Sequence, residues 1–462
     1  MTRQADFYGW KLLAVFWLIL FTSFAFPLYG ASVVNAYMAA DLGLNRSSLG
    51  LAYGLFQWMI GLPAPLVAIL INKKGVRFTA TLGSLVVMIG ALLMALVVRT
   101  GLEVDIVFGI VIGLGHLSTG ILGAQSCIGQ WFVKGKARAI TLVHTGGGIG
   151  GFVAAPVLDR VIRHFGGNWR AGWWLIAALS LFAASLAAIF IREKPADLGQ
   201  LPDGEQFDPI AASDAPGSDA PVGDAVLSDF PRSNVEAAQS RLAARSLTRD
   251  VYKTTSEWTF REAFRSPAMW LFLLASLGIS AGYPMFLAHG VVHLKDLGFS
   301  SPQAASSISI MLLSSLAGQL IVVAWGDRIE PRLIWAAASA LFGVGMFLAL
   351  NARGAAGLYL YAVCLGVGFG ASFSSMMTLP GNYFGAKAYA SILSVMMAVG
   401  TTAGAAGPYL AGIVYDHFNT YAPAFYWVAG LSFAATILLL FATPPVRRGA
   451  PILASVAVND VD

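Results

Sequence analysis

Apolar positions in this chain neither alternate nor keep to one helical face; they run unbroken. Residues 12–38 contain no charged side chain, and neither do residues 47–71. Each run exceeds the roughly 20 residues that a helix needs to cross the hydrocarbon core of a bilayer. Such runs predict twelve spans, near residues 10–36, 47–71, 77–98, 104–129, 138–160, 170–191, 267–291, 302–325, 331–351, 356–380, 387–413 and 421–443. Core helices of a large soluble protein would not supply so many charge-free runs of this length. The expected class is an all-α membrane protein in contact with the lipid bilayer. Composition agrees: of 462 residues, 57% are hydrophobic and 11% charged, against about 25% charged in a soluble domain.

Polar residues divide the chain. Residues 192–262 are rich in Pro, Ala, Ser, Asp and Gly and lack a long apolar run. That composition predicts a largely disordered tether with a short amphipathic helix before span 7. The expected organisation is a six-helix bundle over 1–191, the linker 192–262, a second bundle over 263–445 and a tail over 446–462. With the N-terminus inside, 22 of the 29 Lys and Arg fall on cytoplasmic segments, as the positive-inside bias requires. Both termini and the linker are therefore expected on the cytoplasmic side. The net charge of +5 reflects that bias and gives no reason to expect a nucleic-acid partner. Cys127 and Cys364 lie in separate apolar runs, so neither a disulfide framework nor a metal set is expected. The first apolar run is too long for a cleavable signal and is followed by further spans.

The two halves repeat. Asp41–Ser48, "DLGLNRSS", recurs as "DLGFSSPQ" from Asp296; Phe26-Pro27 recurs as Tyr283-Pro284. Gly113 and Gly115 match Gly366 and Gly368, and the Gly148–Pro156 spacing recurs as Gly400–Pro408. The matches keep chain order, which argues for duplication of a six-helix unit. Parallel six-helix repeats are the architecture of major facilitator carriers, with the substrate near midplane between the halves. Interruptions at matching positions, here Pro27 and Pro284, point to a transport site; simple kinks are the alternative. The stretch "GQWFVKGKARAITLVHTGGGIGG" (129–151) imitates a phosphate-binding loop, but five residues separate Gly129 from Gly135 and Ala137 stands where the hydroxyl should be. Its basic residues are expected to anchor a cytoplasmic turn. Its glycines suit close helix packing, either static or as a moving seam.

The same stretch carries a resemblance. Trp131, Phe132, Lys134, Lys136, Ala139 and Gly146 fall in register with the helix-5 motif of the monocarboxylate transporters, a family of the major facilitator superfamily. Gly135, Arg138, Thr141, Val143 and Thr145 depart from it. "DFYGW" (6–10) is similar to the family's helix-1 motif, and "REKPADLGQLPDG" (192–204) to the tail of its bacterial members. The superfamily's loop between helices 2 and 3 is matched by "AILINKKG", with Asn72, Lys73 and Gly75 followed by Arg77; Ala68 and Asn72 replace the motif's Gly and Asp. In the second half "VAWGDRIEPR" keeps Asp327, Arg328 and Arg332. The resemblance implies the major facilitator fold, with twelve helices in two pseudo-symmetric bundles, and a gating role for these loops. It also implies transport of a small organic acid by rocker-switch alternating access, without a cofactor. At the positions of the family's charged Lys, Asp and Arg stand Leu28, Ser315 and Gln319, which shifts the expected solute toward a larger, partly apolar acid, such as an aromatic carboxylate or lactone acid.

His116 and His144 are the ionisable side chains read as lying well inside the spans, with His289 and His293 near the outer end of span 7. An intramembrane ionisable residue is a functional hypothesis by default, although a neutral His also serves as a helix-to-helix hydrogen bond. Tyr29 and Tyr283 flank the paired prolines and complete the candidate substrate set of Tyr29, His116, His144, Tyr283, Ser315 and Gln319. No Asp or Glu is expected at depth, so the paired acid and base or metal constellation of a membrane enzyme is not expected. A carrier of a neutral solute and a non-transporting sensor on a carrier fold are the competing readings. The expected partners are a small-molecule substrate and, if transport is proton-linked, a coupling proton; the chain is expected to act as a monomer in a bacterial cytoplasmic (inner) membrane.

Overall fold

The computed structural model describes residues 7–132, 136–204, 251–254, 256, 258–326 and 328–445. Twelve long helical segments run through the described residues, at the predicted places. They are α1 (Tyr8–Leu42), α2 (Arg46–Gly61, continued over 64–74), α3 (76–96), α4 (Gly101–Trp131), α5 (Lys136–His164), α6 (Arg170–Phe190), α7 (Pro267–Asp296), α8 (Ser301–Trp325), α9 (Pro331–Leu350), α10 (Gly354–Gly385), α11 (Lys387–Phe418) and α12 (Ala422–Phe441). The short helix expected before span 7 is Phe260–Phe264.

The repeated octapeptide makes the same turn twice. Gly43 and Gly298 take positive φ, 61° and 89°, which a glycine adopts without steric cost. Two residues on, Asn45 caps α2 by accepting from Ser48 N–H, and Ser300 caps α8 with Gln303 completing a capping box. The paired glycines of α4 and α10 also repeat their contacts. Gly113 packs on Phe56 and Met59 of α2, and Gly366 on Met311 and Ser315 of α8. Gly115 packs on Gly83 and Val87 of α3, and Gly368 on Ala338 and Phe342 of α9. The first glycine of each pair thus admits one neighbouring backbone and the second another, so the duplication read in the sequence is a duplication of packing.

Apolar packing distinguishes the two ends of the molecule. At the end that holds the α1–α2 and α7–α8 turns, one continuous core draws on both halves, from Phe26, Val34 and Tyr53 to Met285, Ile308 and Phe425. At the end where α1 begins and α12 finishes, each half has its own core: Leu12, Trp131 and Ile191 in the first, Trp258, Phe272 and Phe384 in the second. The halves are fused at one end and separate at the other.

The segment expected to be a tether begins and ends in packed structure. Trp131 Nε1 donates to Arg192 O at 3.0 Å, and Tyr8 N to Gln200 Oε1 at 3.0 Å. At the other margin Thr254 N donates to Asn382 O at 2.8 Å, and buried Trp258 meets Phe384 edge to face. Residues 205–250 and 446–462 of the expected linker and tail lie outside the described residues.

Gly75 turns the chain between α2 and α3 at φ 85°, ψ 166°, a region essentially restricted to glycine. Any Cβ there would strike the carboxylate of Glu193, which accepts from Arg77 N–H at 3.4 Å. Gly75→Ala should therefore cost about 1–3 kcal/mol and lower the thermal unfolding midpoint of the purified protein. Adding Glu193→Ala removes the collision but not the backbone cost, so recovery in the double variant should be partial.

Candidate functional site

The fused end is held by carboxylates from one half set against helix starts of the other. The first backbone donors of α2, the N–H groups of Arg46 and Ser47, each donate at 2.9 Å to a different oxygen of Asp416 on α11. An acid at this place satisfies otherwise unpaired donors and is favoured by the helix dipole. The Arg46 guanidinium lies 3.2 Å from both oxygens of Asp296 at the end of α7, and 5.0 Å above the Tyr415 ring. Ser301, which stands in the second repeat where Arg46 stands in the first, donates through Oγ to Asp159 Oδ1 on α5 at 2.6 Å. The Tyr37 hydroxyl donates to the same oxygen at 3.0 Å, and Arg163 Nε to the other at 2.8 Å.

Asp159 is a buried carboxylate near the end of its span, which the expectation of no Asp or Glu at depth did not cover. Helix α5 runs on to His164 rather than ending near 160, so this acid lies more than a turn inside and is 1% exposed. A buried carboxylate needs partners, and two of its three come from the α1 and α8 elements that flank the seam.

From this end toward midplane, helices α2 and α11 approach through glycines. A Cβ on Gly50 or Gly54 would meet the backbone of Pro408 or Ala405, and one on Gly61 would meet Thr401. Across the other seam Ser309 Oγ donates to Phe152 O at 2.6 Å, and Gly151 admits Leu312 and the Tyr29 ring. One turn further along α5, a Cβ on Gly148 would meet open space. The glycine stretches read in the sequence also pack α5 on α1, through Gly146 and Gly150, and α11 on α7, through Gly404 and Gly407.

Deeper along the seams stand Tyr29, whose ring packs on Gly151 of α5, and Tyr283 of α7. The Tyr283 ring stacks on Phe369 of α10 at 3.6 Å and 6°, and Tyr53 donates to Leu28 O at 3.2 Å. The hydroxyls of Tyr29 and Tyr283 have no hydrogen-bond partner among the described residues. Gln57 on α2, which sequence reasoning missed, lies beside Gly404 of α11, its Nε2 3.6 Å from where a Cβ would be. Ser315 is buried with its backbone against Gly366 and Gly370 of α10. Gln319, one turn on, is half-buried; neither glutamine has a hydrogen-bond partner among the described residues.

The histidines separate into two kinds. His289 is fixed between Pro408 O at 2.8 Å and the Tyr421 hydroxyl at 3.1 Å, and His293 lies 3.1 Å from Ala349 O. These two tie α7 to α9, α11 and α12. His144 is half-buried with the Gln125 amide 3.4 Å from Nε2. His116 is buried and neither ring nitrogen has a partner among the described residues.

The loop residues lie at the end where α1 begins and α12 finishes. Asn72, Lys73 and Arg77 are exposed, and Arg77 Nε donates to Ala188 O at 2.7 Å. Glu193, rather than an acid at position 72, holds this turn. Arg328 is exposed and Arg332 half-buried, while Asp327 lies outside the described residues. Lys134 also lies outside them, as does the side chain of Lys136. Trp131 and Phe132 are buried against Phe7, Tyr8 and Trp10, with ring centroids 5.4–5.8 Å apart; Ala139 is buried nearby.

Comparison with known proteins agrees with this architecture. The family model described as Major Facilitator Superfamily matches residues 15–312 and 290–456. Monocarboxylate transporter 14 of Mus musculus is 24% identical over 95% of this chain and 91% of its own length. Monocarboxylate transporter 2 of Homo sapiens is 20% identical over 94% and 85%. Among solved structures, a nucleoside transporter superposes with TM-score 0.65 at 15% identity, covering 93% of this chain and 99% of its own. An inward-facing bacterial homologue of the human lysosomal transporter Spinster gives 0.64 at 15% identity, covering 95% and 96%. With twelve helices in two repeated bundles fused at one end, this chain belongs to the Major Facilitator Superfamily and is a multi-pass membrane transporter homologous to the monocarboxylate transporters.

Proposed function

We propose that the chain is a secondary active transporter of a small organic acid, working by rocker-switch alternating access. The observation that carries this reading is the contrast between its ends: a shared core with paired carboxylate contacts at one, separate cores at the other. Between them lie the unpaired hydroxyls of Tyr29 and Tyr283, Gln57 and Gln319. The flat stack of Tyr283 on Phe369 favours a solute with an apolar or aromatic body, oriented by neutral hydrogen bonds. Neutral residues at positions 28, 315 and 319 support a neutral solute, carried by facilitated diffusion, as the second reading. In this proposal both termini face the cytoplasm of a bacterial cell, the fused end faces outward, and His116 or His144 carries any coupling proton.

Uptake by proteoliposomes, screened with labelled monocarboxylates and matched neutral analogues, tests the substrate class. Loss of a polar contact at Gln319→Leu should weaken apparent affinity by about 1 kcal/mol, roughly fivefold; unchanged affinity and rate would remove this residue from the site.

Sidedness is tested by labelling intact cells with an impermeant maleimide. A cysteine at exposed Thr420, in the α11–α12 turn, should label from outside, and one at Lys74 should not. The reverse pattern would invert the topology.

Alternating access predicts that loosening the fused end exposes the centre from that side. Asp159→Asn combined with Asp416→Asn should raise the labelling rate of a Gln57→Cys probe from outside by several-fold. An unaltered rate would mean that these carboxylates do not hold the outer end closed.

A further inference from the structure

His116 is the described histidine whose two ring nitrogens are both buried and without partners. His289 and His293, equally enclosed, are hydrogen-bonded, so orphaning is not the ordinary state of a buried imidazole in this protein. A neutral imidazole carries one N–H donor and one acceptor nitrogen, and burying both without partners is unfavourable. Nearby hydroxyls do not relieve it: Thr119 Oγ1 donates to Gly115 O, and Ser84 Oγ lies 3.4 Å from Thr119 Oγ1.

Two aromatic rings pack on this group. The Phe24 ring stacks on His116 at 4.1 Å and 27°, with Phe56 tilted against it at 5.1 Å. Phe24 is itself half-buried. Beyond it stand Gly147, whose absent Cβ would lie 3.6 Å from the ring, and Gly148, whose Cβ would meet open space. A side chain at Gly120 would press on the other edge at 3.3 Å. The missing side chain of Gly147 thus leaves a methyl-sized gap at one edge of the ring, while Gly120 holds the other edge closely. Phe24 also closes the π-helical turn Leu20–Phe24 of α1, and such turns shift side-chain direction locally and recur at functional sites.

We propose that Phe24 is a movable cover over a concealed subsite whose polar group is His116, and that this subsite takes a carboxylate oxygen of the carried solute. A carboxylate accepts only, so it pairs with the imidazole N–H once the ring swings toward Gly147 and Gly148. The inference rests on the organic-acid reading above and adds to it the residue that reads the acid head.

The full chain in proteoliposomes is treated with diethyl pyrocarbonate, and modification is followed at each histidine by mass spectrometry. His116 should react slowly in the wild type and at least tenfold faster in Phe24→Ala, with Phe24→Leu between them. His144 should keep its wild-type rate, and His289 should stay unmodified as a report on the fold. Acetate, pyruvate or benzoate should slow the reaction of His116 in Phe24→Ala at least threefold and leave His144 unaffected. If His116 stays slow in both Phe24 variants while His144 reacts, Phe24 is not its cover. If it reacts fast and none of the three acids protects it, no carboxylate binds there. Uptake of the same labelled acids by the wild type separates the two ideas: protection without uptake overturns the transport reading and leaves the subsite standing.

Discussion

The backbone donors that begin a transmembrane helix must find acceptors, and in this protein the start of α2 finds them in the opposite half. Arg46 and Ser47 give their N–H groups to Asp416 of α11, while the equivalent start of α8 uses Ser301 to hold Asp159 of α5. The start of a helix and the joining of two bundles become one event. Separating the halves exposes the α2 donors and leaves the buried Asp159 short of a partner. Water must replace both, which is why such contacts belong at the membrane surface rather than at midplane. Nearer the centre Gly50 and Gly54 lie against the backbone of Pro408 and Ala405, and Gly61 against the Thr401 side chain.

Much of the architecture was legible because duplication writes the same physical requirement twice. A left-handed glycine followed by a cap, at Gly43 with Asn45 and again at Gly298 with Ser300, is a local device that a sequence displays directly. The Gly113–Gly115 pair and its counterpart are local in the same sense. The site was legible only in part. Tyr29 and Tyr283 stood out because each lies within two residues of an interrupting proline. Tyr53 and Gln57 carry no such flag; their place at the seam follows from how α2 lies on α11. Asp159 was missed because the end of an apolar run understates the length of its helix. The contact of Phe24 with His116 joins residues 92 positions apart, and nothing along the chain announces it.

The three stretches that carry the family resemblance in the first half share one place. Phe7, Tyr8 and Trp10 pack on Trp131 and Phe132, and the segment from Arg192 closes the group through Trp131 Nε1 and the Gln200 side chain. Only the helix-5 stretch continues inward from there, through His144 and Gly146. Together they bind the ends of α1, α4 and α6 into one block. A family likeness resting on such residues speaks for a shared frame rather than for a shared solute.

The two carboxylate contacts at the fused end differ in their access to water. The Arg46–Asp296 pair beside one of them is solvent-accessible, at 18% and 35% side-chain exposure, whereas Asp159 is 1% exposed. Dissolved ions screen charges over about 8 Å at physiological strength, and far less effectively in a buried setting. Raising the salt concentration therefore weakens one clasp and spares the other. The α2 side of the seam is therefore the salt-sensitive edge and the α5 side the salt-resistant one, so that ionic strength at this face acts on one half of the closure and not on the other.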